Sequence, residues 1–300
     1  MSNKIRAAVV GYGNIGKAAV EALRANEDFT LCGVVRRNPD APQPAELSDV
    51  PVVGEIDALG EVDIALICAP TRSVPEMASA LLQKGIRTVD SYDIHTGVPA
   101  LHEQLHAIAK AHGTVSVMSA GWDPGSDSVI RALMLALTPH GITYTNFGPG
   151  MSMGHSTAVK NMDGVKDALS MTIPLGTGVH RRMVYIELED GYEADEVIAR
   201  IKSDDYFVHD ETHVQVVDSV QPLYNMAHGV LLERNGVSGA AHNQRIEFRM
   251  SINNPSLTAQ VMVACARAAM KLDPGCYTMI EIPPIALLPG DPKEHIAHLV

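Results

Sequence analysis

Three glycines, Gly11, Gly13 and Gly16, follow the apolar run Ala7-Ala8-Val9-Val10 and lead directly into Lys17-Ala18-Ala19-Val20-Glu21-Ala22-Leu23. An apolar strand, a GxGxxG turn and a helix in this order are what a dinucleotide needs. Gly11 makes the tight turn, Gly13 lets backbone come close to a pyrophosphate, and Gly16 lets the helix pack near the strand. The helix start adds unpaired N–H groups and the positive end of its dipole. Tyr12, Asn14 and Ile15 belong to the same turn and are expected to line it. A second strand is expected over Leu31 to Val35, and it ends in Arg36-Arg37 where an acid would hold a ribose 2′-hydroxyl. Two guanidiniums suit a 2′-phosphate instead, and one of them can stack on adenine, so NADP is the expected cofactor.

These residues need a sheet behind them. Val62 to Cys68, Ile86 to Val89 and Thr114 to Met118 read as strands. Ser73 to Leu82 (with Ser73 as N-cap) and Leu101 to His112 read as helices. The alternation implies a Rossmann-type α/β fold, a doubly wound parallel sheet spanning residues 1–121. Ligands bind such sheets at the carboxyl ends of the strands. Ala69, Pro70, Thr71 and Arg72, then Ser91, Tyr92 and Asp93, and finally Trp122, Asp123, Pro124 and Gly125 therefore stand where cofactor and substrate should meet.

Beyond Gly121-Trp122-Asp123-Pro124-Gly125 the texture changes. Ser128 to Leu137 reads as a helix, Phe147 to Gly154 as a Gly-rich loop, Ala194 to Ile201 as a helix. Met183 to Glu189, Val214 to Val220 and Ile246 to Ile252 read as strands. The expectation for residues 122–254 is an α+β domain with one largely antiparallel sheet, for substrate binding and dimerisation. A helix over Leu257 to Met270, for which Asn254 can serve as cap, opens a segment, 255–300, expected to pack back on the first domain.

Bulk properties exclude other classes. Three hundred residues allow a sizeable core and two domains, and a net charge of −12 argues against nucleic acid or anionic membrane as partner. The four cysteines, Cys32, Cys68, Cys265 and Cys276, show no metal-ligand spacing, and the thirteen histidines form no HExxH cluster, so no catalytic metal is expected. With no signal peptide and no bilayer-length apolar run, a reduced, cytoplasmic setting is expected.

Taken together, VVGYGNIG, VVRR, VDSYDIH, SAGWDPG, FGPGMSMGHS and NNPSLTAQ resemble the meso-diaminopimelate dehydrogenase family along essentially the whole chain. The resemblance implies a homodimer. It implies NADP-dependent oxidative deamination of the D-centre of meso-2,6-diaminopimelate to L-2-amino-6-oxopimelate, which cyclises to tetrahydrodipicolinate, with ammonia and NADPH. Run in reverse, that reaction supplies lysine and peptidoglycan precursors. Carried onto this sequence, it points to Asp93 and Asp123 at the reacting centre, with Trp122 beside them. It points to Phe147, Met153, Gly154, Thr172, Arg182, His228 and Asn254 as further substrate contacts. Phe147 stands where many members have tryptophan and Met153 where longer members have glutamine. The spacer from Thr172 to Arg182 is short, as in a branch some of whose members also aminate simple 2-keto acids.

The chemistry asks for such residues. Hydride leaves an α-carbon only after its ammonium has lost a proton, and a carboxylate can take that proton and later orient water. A substrate with two amino acid ends must be anchored at the distal one, for which Arg182, Thr172 and His228 are suited. Two other readings compete: another NADP oxidoreductase such as a dihydrodipicolinate reductase, or a non-catalytic NADP-sensing regulator.

Overall fold

Strands alternating with helices bury both faces of a sheet, so their residues are largely apolar. In the computed structural model, which describes residues 4–224 and 227–300, the chain opens with β1 (Ile5–Val10), α1 (Asn14–Ala25), β2 (Phe29–Val35), β3 (Val52–Val53), β4 (Ile64–Ile67), α2 (Val74–Gln83), β5 (Arg87–Asp90), α3 (Val98–Ala111), β6 (Val115–Val117) and α4 (Ser126–Leu137). Ala7 and Val9 pack into one layer with Val20 and Leu23 of α1. Ala8 and Val10 pack into the other with Leu82 of α2 and Leu105 of α3, as the two-residue period of a strand requires. Several boundaries differ from expectation, among them the start of α3, at Val98 and not Leu101, and the start of β4, at Ile64 and not Val62. β2 begins at Phe29, Cys68 lies one residue past β4, and the hydroxyl of Ser73 caps nothing. Pro75 in the first turn of α2 removes one of the N–H groups such a cap would serve.

Next come β7 (His140–Phe147), β8 (Gly150–Met151), α5 (Met153–Lys160), β9 (Val165–Gly176), β10 (Val179–Leu188), α6 (Ala194–Ser203), β11 (Glu211–Val216), β12 (Ala227–Ser238) and β13 (Ala241–Asn253). They form two sheets where one was expected, a four-stranded β11-β10-β9-β8 and a three-stranded β13-β12-β7. Pairing is antiparallel except between β10 and β11, which run parallel because α6 carries the chain back between them. β11 stops at Val216 and not at Val220. The stretch expected as a loop over Phe147 to Gly154 holds β8 and the start of α5, whose turn-forming glycines mask both elements.

The chain then forms α7 (Asn254–Ala269), β14 (Gly275–Tyr277) and α8 (Pro292–Leu299). β14 joins β6 in parallel and completes a seven-stranded sheet, β14-β6-β5-β4-β1-β2-β3. Met262, Cys265, Ala266 and Ala269 of α7 are buried with Ala7 and Val9 of β1. α7 begins at Asn254 and not at Leu257, so Asn254 is a helical residue and not the cap before one. The chain divides into two compact units, Met1–Ala132 with Pro255–Val300, and Leu133–Asn254. The first boundary thus falls within α4, eleven residues beyond the expected 121 (132 − 121), and Val129 of α4 packs on the first unit's core.

Arg267 ties the returning segment in place. It is 4% exposed; its Nε and Nη2 donate to the Asp28 carboxylate, Nη2 also to Asn26, and Nη1 to the Leu287 carbonyl. Removing one partner of a buried ion pair strands the other. Asp28 keeps 36% of its side chain exposed, so solvent screens the stranded carboxylate, and Arg267→Met is expected to lower unfolding stability by about 1–3 kcal/mol, mostly through lost hydrogen bonds, read as a drop in the urea midpoint with the slope unchanged.

Candidate active site

Two of the three glycines in the turn after β1 admit nothing larger. Gly11 has φ +98°, and a Cβ there would lie 2.5 Å from the Cys68 carbonyl oxygen, while a Cβ on Gly16 would lie 2.2 Å from the Gly11 carbonyl oxygen. These contacts draw the start of α1 and the end of β4 onto the turn. Gly13 differs, because a Cβ there would meet nothing within 4 Å. No side chain caps the N–H groups at the start of α1, where Asn14 is exposed and Ile15 packs on the core. Those N–H groups remain for solvent or an anion.

The Tyr12 hydroxyl donates to Glu46 Oε1 at 3.1 Å, and burial, then that bond, pushes its pKa up to about 12. Arg36 and Lys17 each hold their charge 5.9 Å from the centre of the Tyr12 ring. Arg36 Nη1 is buried and has no hydrogen-bond partner among the described residues. A buried donor in that state is costly until something accepts from it. Arg37 is exposed.

Asp90, the fully buried last residue of β5, organises the next strand ends. One carboxylate oxygen accepts from the Tyr92 N–H at 2.9 Å and the Ser119 N–H at 3.1 Å, and the Asp90 carbonyl accepts from Ala120 at 2.7 Å. Burial, against those two bonds, pushes its pKa up to about 6. The ends of β5 and β6 are thereby locked together, with Ser119 held at φ +53°. Asp93 is exposed, and its N–H donates to Thr71 Oγ1 at 3.2 Å, joining this end to that of β4, where Ala69 is half-buried and Pro70 and Arg72 are exposed. Ser91 is half-buried. The Tyr92 ring is buried with Ile67, Leu105 and Met118, so any part Tyr92 plays towards a ligand falls to its main chain.

The Gly121–Gly125 stretch folds back on itself. The Gly121 N–H donates to the Pro124 carbonyl at 3.0 Å, and a Cβ on Gly125, at φ +143°, would lie 1.9 Å from the Gly121 carbonyl oxygen. Trp122 is buried, its carbonyl accepting from the Asp127 N–H at 3.1 Å. Asp123, at the turn's apex, keeps 17% of its side chain exposed. Burial, then the neighbouring Asp127 and Asp93, raise its pKa to about 7 against the pull of Arg131. Arg131 is committed mainly to fully buried Asp127 at 2.7 Å and stands 3.8 Å from Asp123.

In the second unit a two-residue turn, Thr177 at φ +52° and Gly178 at φ +80°, closes the β9–β10 hairpin. Positive φ at both positions suits a tight hairpin. Its register sets Arg182 directly opposite Thr172, so residues ten apart share one face. Arg182 donates through Nη1 to Thr172 Oγ1 and through Nε to Asp210 Oδ2 at 2.6 Å. Arg181, on the opposite face, pairs with exposed Glu211 at 2.9 Å. His180, two residues before Arg182, accepts the Phe147 N–H on Nε2 at 2.8 Å, and its ring lies 5.9 Å from that of Phe147. His228 is buried, and burial holds its pKa and that of His180 below the ordinary histidine range, with Arg182 adding to the effect. His155 bonds Ser152 Oγ through Nδ1 at 2.8 Å, and burial and then Arg182 lower its pKa to about 4. Met153 packs against Met151, Leu169 and Val220, Gly154 is exposed, and Asn254 is half-buried.

Comparison with known proteins decides the family. A meso-diaminopimelate D-dehydrogenase of Bacteroides fragilis is 63% identical over 297 residues, 99% of each chain. The chain belongs to the meso-diaminopimelate D-dehydrogenase family. Residues 5–119 match the oxidoreductase family with an NAD-binding Rossmann fold, and residues 121–181 match the diaminopimelic acid dehydrogenase C-terminal domain. The Corynebacterium glutamicum DAP dehydrogenase structure in complex with DAP superposes with a TM-score of 0.90 at 28% identity, covering 100% of both chains. An engineered D-amino acid dehydrogenase bound to NADP+ superposes at 0.85 with 27% identity, over 99% of this chain and 100% of that one. The first unit is thus the NAD(P)-binding Rossmann unit of this family. Among the described residues no cluster of three or more His, Cys, Asp or Glu side chains is arranged to hold a metal ion, and no helix is long and apolar enough to cross a membrane.

The structure brings some of the expected residues together, while in the second unit Phe147, Met153, Gly154 and Asn254 are not shown in contact with Arg182 or Thr172. Gly11–Gly16, Arg36, Ala69–Arg72, Ser91–Asp93 and Trp122–Gly125 lie at the carboxyl ends of the parallel strands, and Thr172 and Arg182 touch. Asp127, Arg131, His180 and Asp210 were not anticipated. The two-residue strand period would have found His180 beside Arg182. Asp210 lies 28 residues from Arg182 (210 − 182) and carries no local signal.

Proposed function

We propose that this protein oxidatively deaminates the D-centre of meso-2,6-diaminopimelate with NADP, reversibly, giving L-2-amino-6-oxopimelate, ammonia and NADPH. The observation that carries the reading is Asp123, a carboxyl group at a sheet's ligand end whose surroundings bring its pKa to about 7. Such a group takes a proton near neutral pH and gives it back. The carboxylate of Asp123 accepts the proton of the substrate ammonium, leaving a lone pair that drives hydride off the α-carbon. Bound NADP supplies the hydride acceptor. Asp123 gives that proton up to solvent before water adds to the iminium carbon, then takes a proton from the adding water and returns it to the nitrogen, and ammonia departs as the carbinolamine hydroxyl loses its proton to solvent. Asp93 holds the amine, with Trp122 as a wall.

Arg182, Thr172 and His228 anchor the distal carboxylate, while Phe147, Met153, Gly154 and Asn254 complete the pocket. The neutral histidines favour a donor role that does not depend on acidity. For the cofactor, the Gly11–Gly16 turn, with Tyr12, Asn14 and Ile15, suits the pyrophosphate, and the unpartnered Arg36 Nη1 suits a 2′-phosphate that Arg37 also reaches. Ala69–Arg72, Ser91, Tyr92, Pro124 and Gly125 line the rest. Mass spectrometry of the product, with ammonia and NADPH formed one to one, tests the reaction. A label placed only on the D-centre nitrogen that persists in the product contradicts it.

The glycines separate folding from binding. Gly16→Ala collides with the Gly11 carbonyl and is expected to lower Tm, whereas Gly13→Ala meets no protein atom and should leave Tm unchanged. Its added methyl nevertheless occupies space that a pyrophosphate needs, so the thermal shift on adding NADPH should shrink. A homodimer is also part of this reading. Leu133 and Leu137, one helical turn apart, and Ile142 are 54%, 60% and 59% exposed, more apolar surface than an isolated subunit favours. A reduced, cytoplasmic setting accords with four free thiols.

A further inference from the structure

Arg182 is not a free cation. Its Nε–Asp210 bond is 2.6 Å, and the side chains are 14% and 25% exposed. Asp210 is itself held, because Thr212 Oγ1 donates to its carbonyl at 3.2 Å and to that of Phe207 at 3.4 Å. His155, His180 and His228 stand near Arg182, where burial lowers the pKa of each and Arg182 adds to the effect, and Asp204 is a further carboxylate beside His155. The Arg182–Asp210 pair therefore presents one positive and one negative group side by side. A lone carboxylate arriving at Arg182 gains the guanidinium and meets the Asp210 charge. A carboxylate bearing an α-ammonium satisfies both.

We propose that Asp210 is a specificity-determining residue that takes the distal ammonium of the substrate while Arg182 takes the adjoining carboxylate, so that this half-site reads a zwitterionic amino acid end. The inference rests on the reading of Arg182 as the distal anchor. It differs from a purely positioning role, in which Asp210 would only aim the guanidinium.

The test compares meso-2,6-diaminopimelate with D-2-aminopimelate, which keeps the distal carboxylate and lacks the distal amine. The wild-type enzyme should favour the diamino acid at least tenfold in kcat/KM, a result that needs no variant to fold. Asp210→Asn should lower kcat/KM for the diamino acid at least tenfold and hold or raise it for D-2-aminopimelate. Equal wild-type values, an equal loss on both substrates, or no loss on either overturns the proposal. Arg182→Met separates this from failure of the underlying reading. If it lowers kcat/KM on both substrates, the anchor stands whatever Asp210 does. If it changes neither, the anchor reading falls and the proposal with it.

Discussion

Asp123→Asn lowers kcat for oxidative deamination by about 10²–10⁴-fold, the range for loss of a positioned proton acceptor, while NADPH binding is retained. The substitution is close to isosteric, so the folded-back Gly121–Gly125 turn and its bonds persist. What disappears is a group whose pKa is raised to about 7 by burial and by Asp127 and Asp93. The sign follows from the chemistry, since only the carboxylate form can accept the ammonium proton. In the wild-type protein kcat/KM for deamination should rise with pH through about 7 and then level. In the Asn variant that limb should be missing from what activity remains. Steady-state rates between about pH 5 and 9 decide the matter. A variant that keeps both the rate and the limb assigns the base elsewhere, Asp93 being the first alternative.

Arg182→Met should act differently, through recognition. Truncating one partner of a hydrogen-bonded charge pair costs about 2–5 kcal/mol, roughly 30- to several-thousand-fold in kcat/KM. The loss has two sources. The distal carboxylate forfeits its guanidinium, and Asp210, left at 25% exposure without its cation, repels that carboxylate. D-Alanine has no distal end, so the substitution should spare it relative to meso-2,6-diaminopimelate. Measuring kcat/KM for both substrates gives the answer as a ratio, and an equal fall on both would mean that Arg182 supports the hairpin and not the ligand.

Much of this arrangement was legible in the residues. A strand, three glycines and a helix at fixed spacing dictate one local geometry, so the Rossmann turn and the flanking β1, α1 and β2 could be read directly. The apolar run of β4 was equally plain, whereas β5 and β6 were read from their valines alone, since Thr88, Asp90 and Ser116 are polar residues buried within them. Short strands were not legible: β14 has three residues and β8 two, too few to show a period. Of the β9–β10 hairpin only the stretch from Met183 was read as a strand, and β9 was not, so the reason that Thr172 and Arg182 meet stayed hidden. Nor could local patterns reveal groups that act through space. Asp127 lifts the pKa of Asp123 and draws Arg131 aside, and Asp210 closes on Arg182 from the far side of α6. The identity of the distal anchor came from motif resemblance, whereas its charge balance came only from the fold.

The central claim is that this protein releases hydride from a D-configured amino acid centre while holding a second, distal amino acid end. The most direct test is NADPH formation from the meso, LL and DD isomers of 2,6-diaminopimelate, each offered with NADP and with NAD. The account predicts strong reduction of NADP with the meso isomer, none with the LL isomer, and a much weaker response with NAD. Equal activity on the LL isomer, or no activity on the meso isomer by protein that still binds NADPH, would contradict it.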